Sequence, residues 1–214
     1  MVNGTERRDR LARSRLYLVL EARPHGDDPA ALLAAALRGG VDVVQLRDKE
    51  LPDAELVRAA EPFRRACDAH GALFVLNDRP DLVGATAADG VHVGQDDTSV
   101  PEARRAVGPD RLVGFSVSSR AELELAAGVD ADYLGVGAVF GTPTKPDAKS
   151  GGLELVRAAA ARSRVPWFAI GGVDLNNAAE LVVAGAAGIA VVRAIRDAED
   201  PEVAARALRA LLPA

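Results

Sequence analysis

The chain is poor in the residues that carry much of protein redox and metal chemistry. Its 214 residues hold one cysteine, three histidines, one tryptophan and two tyrosines, and only 4% are aromatic. The single Cys67 has no partner for an internal disulfide, and its place in a helical pattern favours packing over catalysis. His25, His70 and His92 lack metal-ligand spacing, which argues against zinc. No GxxxxGK[ST] or GxGxxG pattern occurs, so nucleotide sites of those kinds are not expected. No stretch of about 18 apolar residues is present, and the charged segment 1–15 lacks an apolar h-region, so neither a membrane span nor a signal peptide is expected. The net charge of -5 leaves no excess of basic residues to draw nucleic acid or anionic lipid. The expectation is a cytoplasmic protein with a loose polar tail over 1–15 and one catalytic domain over 16–214.

What is abundant is small and aliphatic. Hydrophobic residues make up 49% of the chain, with 20 glycines, a composition suited to parallel strands and helix faces packed closely in one core. Short apolar runs recur at residues 17–20, 41–46, 73–77, 90–94, 112–117, 133–139, 167–172 and 188–193. Between them lie Ala/Leu/Val patterns at helical spacing, such as 52–70, 119–128 and 175–184, opened by Pro, Ser or Asn signals. Eight such units predict a single α/β domain, a (β/α)8 TIM barrel. An open doubly wound sheet is the competing topology. In a barrel, the loops that follow the strands gather at one face, so the chemistry is expected at strand ends.

The second strand ends in Gln45, Leu46, Arg47, Asp48 and Lys49. Alternation sends Gln45, Arg47 and Lys49 to one side and Leu46 to the other. An amide, a guanidinium and an ammonium together suit a ligand with a hydrogen-bonding ring and a diphosphate, while a solvated charged turn is the plain alternative. Asn77 and Asp78 end the third strand, and Asp97 follows the fourth. Carboxylates beside phosphate-binding cations suggest Mg²⁺, which takes one or two protein carboxylates and fills its octahedron with water and phosphate oxygens; helix or turn capping by these aspartates is the other reading. Ser116 lies at the end of the fifth strand with no His and acid partners for a triad, so binding or proton relay suits it better than nucleophilic attack. After the sixth strand, Thr142, Pro143, Thr144 and Lys145 open a polar stretch long enough to fold over a ligand, or to remain a surface loop. Gly171 and Gly172 close the seventh strand where backbone N–H groups can meet phosphate, and Val192 and Arg193 close the eighth. Loops after strands seven and eight often form the phosphate site of such barrels. His92 alternates with apolar neighbours and reads best as a hydrogen-bonded core histidine.

In order and spacing, QLRDK at 45–49, LNDRPDL at 76–82, ADGVHVGQDD at 88–97, VGFSVSS at 113–119, DYLGVGAVFGTPTK at 132–145, FAIGGV at 168–173 and GIAVVRAI at 188–195 resemble the thiamine-phosphate synthase family over nearly all of the barrel. The resemblance implies condensation of 4-amino-2-methyl-5-(diphosphooxymethyl)pyrimidine with 4-methyl-5-(2-phosphoethyl)thiazole. Diphosphate is released and thiamine phosphate is formed. It also implies that Gln45 to Lys49, Asn77, Ser116 and Lys145 contact the pyrimidine diphosphate, with Arg47, Lys49, Ser116 and Lys145 in catalytic roles, and that Asp78 and Asp97 hold Mg²⁺. Thr142 to Thr144, Gly171, Gly172, Val192 and Arg193 would meet the thiazole phosphate. Two positions depart from the family pattern: Arg193 stands where Ser is frequent, and Val117-Ser118 where Thr-His is frequent. The implied partners are small molecules alone. A thiazole tautomerase of the same fold would need a histidine near the end of the sixth strand, and residues 135–140 contain none. A non-catalytic sensor of phosphate ligands would need neither the carboxylate pair nor the cationic trio.

Overall fold

A computed structural model describes residues 3–141 and 151–214. Eight parallel strands close into a barrel in sequence order: β1 (Leu16–Leu20), β2 (Val43–Leu46), β3 (Leu73–Asn77), β4 (Gly90–Val93), β5 (Leu112–Val117), β6 (Tyr133–Val136), β7 (Trp167–Ile170) and β8 (Ile189–Val191), with β8 pairing back to β1. The open-sheet alternative is thereby excluded. Helices α1 (Gly4–Arg13), α2 (Ala30–Arg38), α3 (Asp53–His70), α4 (Val100–Val107), α5 (Arg120–Ala126), α6 (Gly152–Arg162), α7 (Ala178–Val183), the one-turn α8 (Arg193–Arg196) and α9 (Pro201–Leu211) complete the described chain. Between β3 and β4 stands a 3-10 turn, Pro80–Leu82, in place of an α-helix. The connection is short and broken by proline and glycine, which leaves no room for a regular helix.

Period-two alternation divides the strand side chains into two sets. Leu18, Val44, Leu46, Phe74, Leu76, Val91, Val113 and Val136 point outward and pack with the helices into one large apolar shell. Tyr17, Val19, Val43, Leu73, Val75, Leu112, Tyr133, Phe168 and Ala190 form a separate cluster that fills the barrel interior. Cys67 lies in the outer shell, fully buried, and burial pushes its thiol up to about 12. It is a packing residue, since the reactive form of cysteine is the thiolate.

Three of the loops that enter strands share one device. Asp42, Asp89 and Asp132 stand immediately before β2, β4 and β6. Each gives its backbone N–H to a carbonyl at the start of the preceding strand, namely that of Leu16, Phe74 or Val113. Its carboxylate then accepts the N–H of that same residue, at 3.0, 3.0 and 2.7 Å respectively. Arginines reach all three carboxylates: Arg7 and Arg64 meet Asp89 at 2.9 and 2.7 Å, Arg8 meets Asp132 at 2.7 Å, and Arg209 lies 4.0 Å from Asp42. Burial alone would raise the Asp89 carboxyl, but Arg64, the Phe74 amide and Arg7 together hold it below the ordinary carboxylate range. Before β8 the corresponding residue is Gly188, which has no side chain to offer.

The loose polar tail expected over 1–15 is corrected by this face. Asn3 caps α1 through its side-chain oxygen, 2.9 Å from the Glu6 N–H, and Leu11 joins the interior cluster from below. Arg7 is buried against Asp89, so the segment is a plug for the bottom of the barrel.

Candidate active site

At the opposite face, the end of β2 carries the expected cations. Gln45 is buried inside the barrel, Arg47 is half-buried and Lys49 stands at the rim. Leu46 belongs to the outer shell, so its side chain faces away from the mouth. Asp48 turns its Oδ1 to the Glu50 N–H at 3.2 Å, which makes it a local turn cap.

Lys49 Nζ lies 2.9 Å from Asp78 Oδ2 and 3.7 Å from Asp97 Oδ1. The hydrogen bond to Asp78 is the main reason its ammonium is held above its usual range. Asp78 sits at φ 59, in the left-handed region that residues other than glycine adopt at a cost. Its N–H donates to the His92 carbonyl at 2.8 Å, which fixes that turn. Burial pushes the Asp78 carboxyl up, Lys49 partly offsets this, and a side-chain hydrogen bond and the charge of Asp97 push it up again. Asp97 also accepts the Gly94 N–H at 3.0 Å, so it both closes its own turn and meets Asp78. Two carboxyl groups in mutual contact, with one ammonium between them, form a donor set matched to a small hard dication that asks for one or two protein carboxylates. Among the described residues no group of three or more His, Cys, Asp or Glu is placed to hold a metal ion.

A continuous line of hydrogen bonds crosses the interior below this rim. Gln45 Nε2 donates to the Tyr17 hydroxyl at 3.0 Å, and that hydroxyl lies 2.9 Å from the Tyr133 hydroxyl. Tyr133 is 3.2 Å from His92 Nδ1, and His92 Nε2 is 2.9 Å from Ser116 Oγ. Both ring nitrogens of His92 are thus occupied, Nδ1 by the Tyr133 hydroxyl and Nε2 by Ser116. The edge of Phe168 meets both tyrosine rings, 5.2 Å from Tyr17 and 6.0 Å from Tyr133, and holds them in place. A Cβ at Gly114 would collide with Tyr133 and with His92, so glycine there makes room for the pair. Gln95 donates to the Ser116 carbonyl at 2.7 Å and ties the β4 loop to the end of β5. Tyr17, Tyr133 and Gln95 are additions to the residues expected from sequence. The parity of β1 and β6 was available to place the tyrosines, whereas nothing local marks Gln95.

The departure at Val117-Ser118 has a structural explanation. Val117 is fully buried, and Ser118 gives both its N–H and its hydroxyl to Glu122 while Ser119 caps α5. That loop is committed to starting a helix.

On the other side of the mouth, Gly171 has φ 102 and Gly172 φ 65. A side chain on Gly171 would run into Ala138, and one on Gly172 into Phe140 and the Gly141 carbonyl. Glycine is therefore required twice over, by backbone sign and by the close approach of the β6 loop. Asn177 donates its amide to the Gly172 carbonyl at 2.9 Å and accepts the Asp174 N–H at 3.0 Å, which holds the turn open-faced. Val192 packs against the interior cluster, and Arg193 is exposed at the start of α8. Asn77 is half-buried at the end of β3. Thr142, Pro143, Thr144 and Lys145 lie outside the described residues.

Residues 16–195 match the family model described as Thiamine monophosphate synthase. The chain is 48% identical over 200 residues to the thiamine-phosphate synthase of Streptomyces avermitilis, covering 92% of this chain and 93% of that protein. It is 47% identical over 210 residues to that of Thermobifida fusca, covering 97% and 96%. Among solved structures it is similar to a thiamine phosphate pyrophosphorylase from Pyrococcus furiosus, with a TM-score of 0.85 at 35% identity, over 95% of this chain and 96% of that one. With the closed barrel, the strand-end cations and the glycine turn in one arrangement, the chain belongs to the thiamine monophosphate synthase family.

Proposed function

We propose that this protein is a thiamine-phosphate synthase. It transfers the pyrimidinylmethyl group of 4-amino-2-methyl-5-(diphosphooxymethyl)pyrimidine to the nitrogen of 4-methyl-5-(2-phosphoethyl)thiazole. The C–O bond to diphosphate breaks, the C–N bond forms, and diphosphate leaves. The observation that carries the reading is the rim formed by β2, β3 and β4, where Lys49 stands between Asp78 and Asp97 beside Arg47 and above the buried amide of Gln45.

The residues divide the work. Gln45, Asn77 and Ser116 line the polar wall that an aminopyrimidine would meet, and the electron push from its amino group makes early departure of diphosphate possible without a protein nucleophile. Arg47, Lys49 and Lys145 neutralise the leaving group, and holding the thiazole nitrogen near the reacting carbon removes much of the entropic barrier. Asp78 and Asp97 would hold Mg²⁺, which when bound supplies charge neutralisation of the diphosphate oxygens. The Gly171-Gly172 turn offers backbone N–H groups to the thiazole phosphate, with Arg193 following the neighbouring strand β8, and the family pattern assigns Thr142 to Thr144 to the same phosphate. A cytoplasmic location belongs to this reading; among the described residues no helix is long and apolar enough to cross a membrane.

A tautomerase reading lacks its base, since β6 and the residues that follow it to Gly141 contain no histidine. The test is product formation from the two substrates with and without Mg²⁺. Thiamine phosphate and stoichiometric diphosphate are expected only with the metal, and no product from both substrates with Mg²⁺ would overturn the assignment.

A further inference from the structure

We propose that Tyr133, which lies too deep to meet a substrate, is a positioning residue: it gives direction to the interior hydrogen-bond chain, so that Ser116 presents a hydroxyl proton and Gln45 a carbonyl oxygen to the aminopyrimidine. The roles at the two ends rest on the thiamine-phosphate synthase reading, whereas the direction of the chain rests on counting protons.

The count starts at Gln45. Its Nε2 is a donor only, so the Tyr17 oxygen accepts there. A phenol has one proton, and the remaining partner of Tyr17 is the Tyr133 oxygen. Tyr133 has now received one proton, and its own goes to its other neighbour, His92 Nδ1. A ring nitrogen that accepts carries no proton, which places the imidazole proton on Nε2. Nε2–H therefore donates to Ser116 Oγ, and the serine keeps its own O–H to give away. The opposite direction sends two protons to the Tyr17 oxygen and leaves the Tyr17 proton without an acceptor in a buried site, the costlier arrangement. Burial holds both phenols well above their usual range, so both keep their protons throughout.

The two ends of the chain offer what an aminopyrimidine needs, an acceptor for its amino N–H and a donor for a ring nitrogen. Among the described residues the Gln45 oxygen has no hydrogen-bond partner, so it is open to an amino N–H, and the Ser116 hydroxyl is open to a ring nitrogen. Gly114 has no side chain where Tyr133 and His92 pack, and Gly135 likewise faces the His92 ring. The barrel wall is shaped around this pair.

The experiment reads the tautomer directly. The protein has three histidines, so ¹⁵N-labelled imidazole spectra are simple, and His92→Gln assigns the signal by subtraction. In the wild type Nδ1 is expected unprotonated and Nε2 protonated. In Tyr133→Phe, which keeps the ring and removes the donor, the Nδ1–H form is expected to appear. The KM for pyrimidine diphosphate should rise about tenfold, the equivalent of one hydrogen bond, with the KM for thiazole phosphate within about twofold. A wild-type His92 carrying its proton on Nδ1 would overturn the proposal, whatever the variants do. So would a Tyr133→Phe protein with unchanged tautomer and unchanged KM, or one in which both KM values rise equally. Tyr17→Phe leaves the Tyr133 donor in place and should keep the wild-type tautomer, which separates direction-setting from general loosening of the core. The tautomer result stands apart from the activity result, so failure of the synthase assignment is recognised separately by absence of product in the wild type.

Discussion

The Lys49 ammonium bonds the Asp78 carboxylate at 2.9 Å across the ends of two neighbouring strands, with Asp97 beside them. A lysine in this place balances charge when the carboxylates hold nothing else, and it is also within the strand-end group that would meet a diphosphate. The carboxylates are the more exacting part of the arrangement, because Asp78 is kept in a left-handed turn to be there.

Asp78→Ala and Asp97→Ala are therefore expected to abolish most turnover and to raise the Mg²⁺ concentration needed for what remains, with the fold retained. Titration of activity against Mg²⁺, alongside circular dichroism, checks this. Wild-type activity in either variant would remove that residue from the metal assignment.

Lys145→Ala is expected to slow condensation more than it weakens substrate binding, because charge on the departing diphosphate grows as the C–O bond breaks. A preorganised cation there is worth about 2 to 4 kcal/mol, or roughly two to three decades in rate. Single-turnover rates at saturating pyrimidine diphosphate isolate that step. An unchanged rate would make Lys145 an ordinary surface lysine.

Arg193→Ser is expected to raise the KM for thiazole phosphate and to leave that for pyrimidine diphosphate nearly unchanged. Arg193 follows β8, on the side of the mouth that carries Gly171 and Gly172, whereas Lys49, Asp78 and Asp97 follow β2 to β4. Equal losses for both substrates would contradict this division.

Asp89→Ala is expected to destabilise the fold by about 3 to 5 kcal/mol, since it removes the carboxylate that the buried Arg7 bonds and leaves the half-buried Arg64 with only its surface partner Asp68. The pH dependence has a definite sign. The folded carboxyl lies below its unfolded value, so its stabilisation is complete above the ordinary carboxylate range and is lost as pH falls through the lowered folded value. Urea unfolding between neutral and acid pH should show the wild type losing stability across that window while Asp89→Ala changes less there. Parallel losses would place the acid sensitivity elsewhere.

How much of this was legible from the chain depended on the range of the interactions. The barrel was legible because strand alternation and βα recurrence are local signals, and the closed order of β1 to β8 follows from them. Gln45, Arg47 and Lys49 were legible through parity on β2. Helix α1 was not: its segment is strongly polar, and its buried Arg7 finds Asp89 82 positions away. Strand β6 was expected to reach residue 139 but stops at Val136, because the chain leaves the sheet there and Val139 bonds the Ile170 carbonyl at 2.9 Å. The Tyr17–Tyr133 contact spans 116 positions, and no local pattern joins two lone tyrosines.

The aspartates before β2, β4 and β6 grip the first six strands in pairs, and Gly188 leaves β7 and β8 without that grip. Local opening costs least where the fewest bonds must break together. In amide hydrogen exchange, the N–H groups of Leu16, Phe74 and Val113 should outlast that of Ala169, whose partner is the Gly188 carbonyl. The barrel thus has an order of loosening written into three carboxylates, and its yielding quarter is the one that carries the Gly171-Gly172 turn.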